Sequence, residues 1–180
     1  YGSNDTTNGG IVELRITSTN KLRLQYGSNN NHVRLQTPSA LTVDTWQHVI
    51  ITYDGGTTGA ASGSLSDYYG RFEIFIDSVS QTTSNSHSNY GYSSAISGQN
   101  LRLGRLVSGN TLKGEKIDEV AIWNSDETTN VSSIYNGGTP FDLSELTNPP
   151  LHWWRMGDGD TYPTLQDSGS SANCDFVMYN

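Results

Sequence analysis

The chain is poor in the residues that usually build helices, disulfides and basic surfaces. One cysteine, Cys174, in 180 residues excludes an internal disulfide and a cysteine-based zinc site. Alanine and lysine are scarce, and only 33% of the chain is hydrophobic. Lys and Arg total 10 against 18 Asp and Glu, a net charge of −8 with no basic cluster in the sequence. Nucleic acid is therefore not expected as a partner, because phosphate contacts need a positive surface. No run approaches the roughly 18 apolar residues of a membrane-spanning helix, so membrane insertion is not expected either. Gly, Ser, Asn and Thr fill the space, making up 77 of the 180 residues. Ten Tyr and four Trp set the chain apart from a disordered polymer.

Apolar and polar residues alternate with period two. In residues 11–17, Val12, Leu14 and Ile16 face one way, and Glu13, Arg15 and Thr17 the other. Residues 21–26 repeat this with Leu22, Leu24 and Tyr26, and Thr19-Asn20 suits a tight hairpin between the two. Residues 32–36, 46–53, 71–77, 101–106 and 116–123 read as further strands, with weaker signals at 151–156 and 175–179. A wet face on each strand predicts antiparallel sheets packed as a sandwich. Trp46 and Trp123 continue apolar patterns and are expected in the core. Trp153 and Trp154 point to opposite sides of one strand, so one is expected in the core and the other at an interface. Residues 54–70 and 82–98 read as long polar loops, the usual place for function. One short helix is expected over 126–136, capped by Ser125 or Asp126 and ended by Gly137.

Several strings resemble the laminin-G-like domains of the concanavalin A-like lectin/glucanase superfamily. They are Trp46-Gln47-His48-Val49 with Tyr53-Asp54-Gly55, Phe72-Glu73-Ile74-Phe75-Ile76-Asp77, Leu101-Arg102-Leu103-Gly104, and Gly114 to Trp123 with its Ile117-Asp118-Glu119-Val120. Ser78 stands where the family usually has glycine. The resemblance implies an all-β, two-sheet antiparallel jelly-roll sandwich with one short helix. It implies a laminin-G-like domain over residues 1–145, lacking the usual opening strands. Residues 146–180 would then start a further repeat or complete the sandwich. Trp153-Trp154-Arg155-Met156-Gly157-Asp158, followed by Asp167-Ser168-Gly169, is similar to repeats in marine bacteriophage fibre and structural proteins.

The superfamily includes glucanases, which set catalytic carboxylates at alternate positions of one strand. Glu73 and Asp77 share a face without a third carboxylate, while Asp118 and Glu119 are adjacent and point apart, so no enzyme is expected. Asp67, Tyr68 and Tyr69 in the first loop, with Asn89, Tyr90 and Tyr92 in the second, are candidate glycan contacts; packing of polar loops by tyrosine is the alternative. Asp118 is a candidate Ca²⁺ ligand, or else bonds backbone amides of a neighbouring loop. No cofactor is required by these residues. Asp158-Gly159-Asp160 reads as a solvated turn. Arg15, Arg23 and Arg34 fall on the polar sides of three early strands, as ion-paired or solvated positions, or as a face for an acidic sugar or a partner. The expected role is a non-enzymatic recognition, adhesion or assembly module at a virion surface or outside the cell. Its partners would be glycans or neighbouring protein subunits, including further copies of the chain.

Overall fold

The computed structural model describes residues 11–27, 32–54, 69–88, 101–104, 114–171 and 173–178. The chain forms two compact units, Tyr1–Lys113 and Gly114–Asn180.

In the first unit, β1 (Ile11–Ile16), β2 (Leu22–Gly27), β3 (His32–Gln36), β4 (Val49–Tyr53), β5 (Phe72–Ile76), β6 (Val79–Ser80) and β7 (Ser84–Ser88) form two antiparallel sheets. Their strand orders are β1-β2-β3-β7 and β4-β5-β6. The period-two pattern places the core. Leu22, Leu24, Val33 and Leu35 from the first sheet pack with Phe72 and Ile74 from the second, and Val12, Leu14, Val49 and Ile51 close the layer. Tyr26, Tyr53 and Phe72 form an aromatic cluster, with Tyr53 and Phe72 stacked at 4.6 Å. The β1–β2 turn forms where the sequence places it: Asn20 takes φ 57°, a conformation Asn tolerates, and its amide bonds Thr17 O at 2.9 Å. Thr37, fully buried, accepts from Leu22 N and donates to Ser39 O, so its hydroxyl carries no unpaired cost.

Three expectations change. Trp46 is 65% exposed rather than in the core, because it lies just past the turn at residues 43–45, before β4 begins. Residues 84–88 form a strand inside a stretch expected to be a loop. That strand, Ser-Asn-Ser-His-Ser, carries no apolar alternation and is held by its backbone pairing to β3. Residues 101–104 are not in a strand; residues 105–106 lie outside the described set.

In the second unit, β8 (Val120–Ile122) pairs antiparallel with β9 (His152–Trp154), and β10 (Thr164–Leu165) with β11 (Phe176–Val177). β8 is shorter than the 116–123 run suggests. Glu119 takes φ 52°, which breaks the extended chain before it. A 3-10 turn (Thr128–Asn130) leads into α1 (Val131–Tyr135). Asp126 Oδ1 accepts from Thr128 N at 3.0 Å, and Val131 and Ile134 are buried. Asn136 and Gly137, both at positive φ, end the helix. Both Trp153 and Trp154 are buried, at 3% and 0% exposure, so neither is left at a surface. Trp154 Nε1 donates to Cys174 O at 2.9 Å, and its ring lies 4.6 Å from Phe176. Gly169 passes so close to the β9 backbone that a Cβ there would sit 2.1 Å from Leu151 O. Only glycine fits that approach. Among the described residues no helix is long and apolar enough to cross a membrane.

Candidate functional site

The strand register brings three arginines onto one surface. In the β1-β2-β3-β7 sheet the core side takes Val12, Leu14, Leu22, Leu24, Val33 and Leu35. The opposite side therefore takes the alternate positions. Arg15 lies directly across from Arg23, and Arg23 from Gln36. One row along, Glu13 lies across from Gln25, and Gln25 from Arg34. The face is thus a ladder of arginines and amides with a single acid among its described residues.

The pairings on this face are uneven. Glu13 is taken by Arg15, with Nε and Oε1 3.1 Å apart. Arg34 Nε donates to Gln25 Oε1 at 2.7 Å, a bond that orients the guanidinium without neutralising it. Arg23 has no carboxylate partner among the described residues, and its Nε is buried with no hydrogen-bond partner. Glu13, Gln25 and His32 are at least nine-tenths buried, so the polar floor of the face is fixed rather than freely solvated.

The loop candidates divide. Asp67, Tyr68, Asn89, Tyr90 and Tyr92 lie outside the described residues. Tyr69 is described and half-buried, and its ring packs against the hydrophobic core of the first unit. Burial pushes its hydroxyl pKa up. Asp118 is exposed, and its Oδ1 accepts from the amide of Glu119 at 3.1 Å. Among the described residues no three His, Cys, Asp or Glu gather closely enough to hold a metal ion.

The second unit uses its acids as struts. Glu119 Oε2 accepts from Trp153 Nε1 at 2.6 Å, and the Arg155 guanidinium lies 4.8 Å above the same indole. Burial raises the Glu119 pKa, opposed by the Trp153 hydrogen bond and the Arg155 charge. Glu127 takes hydrogen bonds from Ser125, Asn130 and Asn148, fastening the segment before α1 to Asn148. Asp167 accepts from His152 Nδ1 at 2.5 Å and from the amides of Trp153, Gly169 and Cys174. Burial pushes Asp167 up, but those four bonds outweigh it and hold the carboxyl below its usual range. A cavity of about 250 Å³ lies between Trp153, Pro149, Pro150, Ser144, Ser168 and Ser170.

Strand alternation exposes Arg15, Arg23 and Arg34 in the sequence. It does not show that Arg23 lies across from Arg15 without an acid of its own, because that depends on strand pairing. The Asp167 hub was also missed as a unit: its four donors come from residues 152–174, and only the Asp167-Ser168-Gly169 turn signals it locally.

The concanavalin A-like lectin/glucanases superfamily model matches residues 2–130. No curated protein and no solved structure gives a match. The family match covers well over half of the chain and coincides with the packed sheets and with β8. The chain belongs to the concanavalin A-like lectin/glucanases superfamily, as a laminin-G-like member.

Proposed function

We propose that the chain is a non-catalytic recognition module that presents a polar sheet face to glycan, together with the tyrosine-rich residues 67–69 and 89–92 of its sequence. Its setting in this reading is an extracellular or virion-surface structural protein. The observation that carries the reading is the use made of the carboxylates. Hydrolysis of a glycosidic bond needs two carboxyl groups facing one cleft, about 5 Å apart in a retaining enzyme. Here Asp77 sits in a turn and holds the amide of His48 at 2.9 Å, so it does not continue the β5 face of Glu73. Asp142 caps a helical turn, Asp126 accepts from the amide of Thr128, and Asp160 holds the amides of Gly157 and Gln166. Glu119, Glu127 and Asp167 are taken up by the bonds described above. These acids support the fold.

The test is a glycan array read alongside a reducing-sugar assay on β-glucans. Saturable binding with no release of reducing ends is the expected result. Release that scales with protein concentration would overturn it.

Assembly is the second reading, with neighbouring copies of the chain as partners. It rests on Val43, Trp46 and Val79, each more than 60% exposed in the first unit. Light scattering separates the two: a discrete oligomer broken by Trp46→Ser, with no glycan bound, favours assembly.

A further inference from the structure

We infer that the chain joins further copies of itself head to tail, with Trp46 of one copy seated in the cavity beside Trp153 of the next. The inference deepens the assembly reading above and rests on it.

Trp46 stands on a braced turn. Gln47 Oε1 accepts from Thr42 N at 2.7 Å, and Thr45 Oγ1 donates to Val43 O at 3.3 Å. Asp77 then bonds His48 in both directions. Because Val49 pairs with Ile76, this clamp sets the Trp46 turn and the β5–β6 hairpin at one end of the β4-β5-β6 sheet. Val43, Trp46 and Val79, at 66%, 65% and 61% exposure, share that end. A single exposed apolar side chain is ordinary; three on one rigid end make a knob that water leaves poorly covered.

The cavity in the second unit has the complementary build. Pro150 and Trp153 are buried and form its floor with Pro149, while the exposed Ser144, Ser168 and Ser170 stand at its rim. None of the residues lining it is charged. The floor is fixed, because Glu119 and Arg155 hold the Trp153 indole and Ser170 Oγ donates to Pro150 O at 3.0 Å. Its volume, about 250 Å³, decides the class of occupant. Pockets for drug-sized ligands run from about 300 to 1,000 Å³, so a sugar chain is too large for it. An apolar cavity of about 150 Å³ takes one benzene ring, so this one suits the fused double ring of an indole. The serine hydroxyls at the rim offer an acceptor to the indole N–H.

Knob and cavity belong to different units of the chain, so the contact is heterologous and propagates into a ring or a filament. One aromatic side chain buries about 150–250 Å², far below the roughly 1,200 Å² of a stable interface. Each joint is therefore weak by itself, and the net charge of −8 opposes it further at low salt.

The test is light scattering and tryptophan emission of the full chain, from micromolar to about 1 mM, the weak end of specific association. Mass should rise with concentration, and more steeply at high salt, where screening lowers the repulsion. Emission should shift to the blue as Trp46 leaves water. Trp46→Ser removes the knob and Ser168→Phe fills the cavity, and each variant alone should stay monomeric. Mixed, they should form one-to-one dimers, because the first keeps its cavity and the second its knob. If circular dichroism shows Ser168→Phe unfolded, Ser144→Phe takes its place. Association that survives the filled cavity but not Trp46→Ser overturns the inference and leaves the assembly reading standing, as does a mixture that fails to pair. Association that survives Trp46→Ser, or a chain monomeric at every concentration, ends both.

Discussion

At the turn between β5 and β6, Asp77 and Ser78 take φ of 50° and 61°. Two consecutive positive φ values are what a two-residue hairpin asks for, and Asn-Gly or Asp-Gly supplies them at least cost. Asp77 stays in place because it bonds His48 from both sides: its amide donates to His48 O at 2.9 Å and its carboxylate accepts from His48 N. Ser78 has no such compensation among the described contacts. Ser78→Gly should therefore stabilise the chain by about 0.5–1 kcal/mol, the relief of a left-handed side chain less the added freedom of the unfolded glycine. A higher urea midpoint at unchanged slope is the expected readout. The Asp-Ser pair was legible as a departure from the family's strand ending. Its backbone cost was not, because a sequence carries no dihedral angle.

Among the elements, β9 depends most on a single side chain. Asp167 ties the His152 ring and the Trp153 amide to the amides of Gly169 and Cys174. Asp167→Asn turns an acceptor of four donors into a group that must itself donate, and should cost about 2–3 kcal/mol. The acid dependence follows from the lowered pKa of the Asp167 carboxyl. A carboxylate depressed in the folded state stabilises it above the unfolded pKa, and that stability is lost as pH falls through the folded value. The second unit should therefore weaken below about pH 4, with Asp167→Asn flattening that limb of an acid titration followed by far-UV circular dichroism. Glu127 acts in the same direction, since the bonds from Asn130, Ser125 and Asn148 outweigh its burial. Elements with a period were legible: β1 to β5 follow the alternation of Leu22-Leu24-Tyr26 and Val33-Leu35, and α1 follows Val131-Ile134-Tyr135. β7 was not, because Ser84 to Ser88 offers no apolar face and gains its place only from β3.

Across the whole molecule, stability is expected to follow the sandwich core of the first unit. Leu24 is 1% exposed and sits among Leu22, Leu35 and Ile74. Leu24→Ala should cost about 2–5 kcal/mol, the removed methyl groups plus the cavity they leave, read from urea unfolding. The fold class was legible at this scale, because alternating strands, turn-forming residues and few helix formers agree. The candidate site was legible only in part. Arg15, Arg23 and Arg34 each show on a polar strand face, but their meeting depends on pairing between strands far apart in sequence. Trp46 ran against expectation because its motif continues an apolar strand pattern while its backbone is still emerging from a turn. That placement makes the tryptophans an unequal pair of spectroscopic probes. The first unit's one indole, Trp46, already faces solvent; in the second, Trp153 and Trp154 lie buried, while Trp123, expected in the core, is only half-buried and donates its Nε1 hydrogen to Asn148 O at 3.0 Å. Intrinsic fluorescence should therefore shift to the red when the second unit melts and respond little when the first does. A melting curve read by indole emission alone would miss the loss of the arginine face; near-ultraviolet dichroism of the Tyr26–Tyr53 cluster would record it.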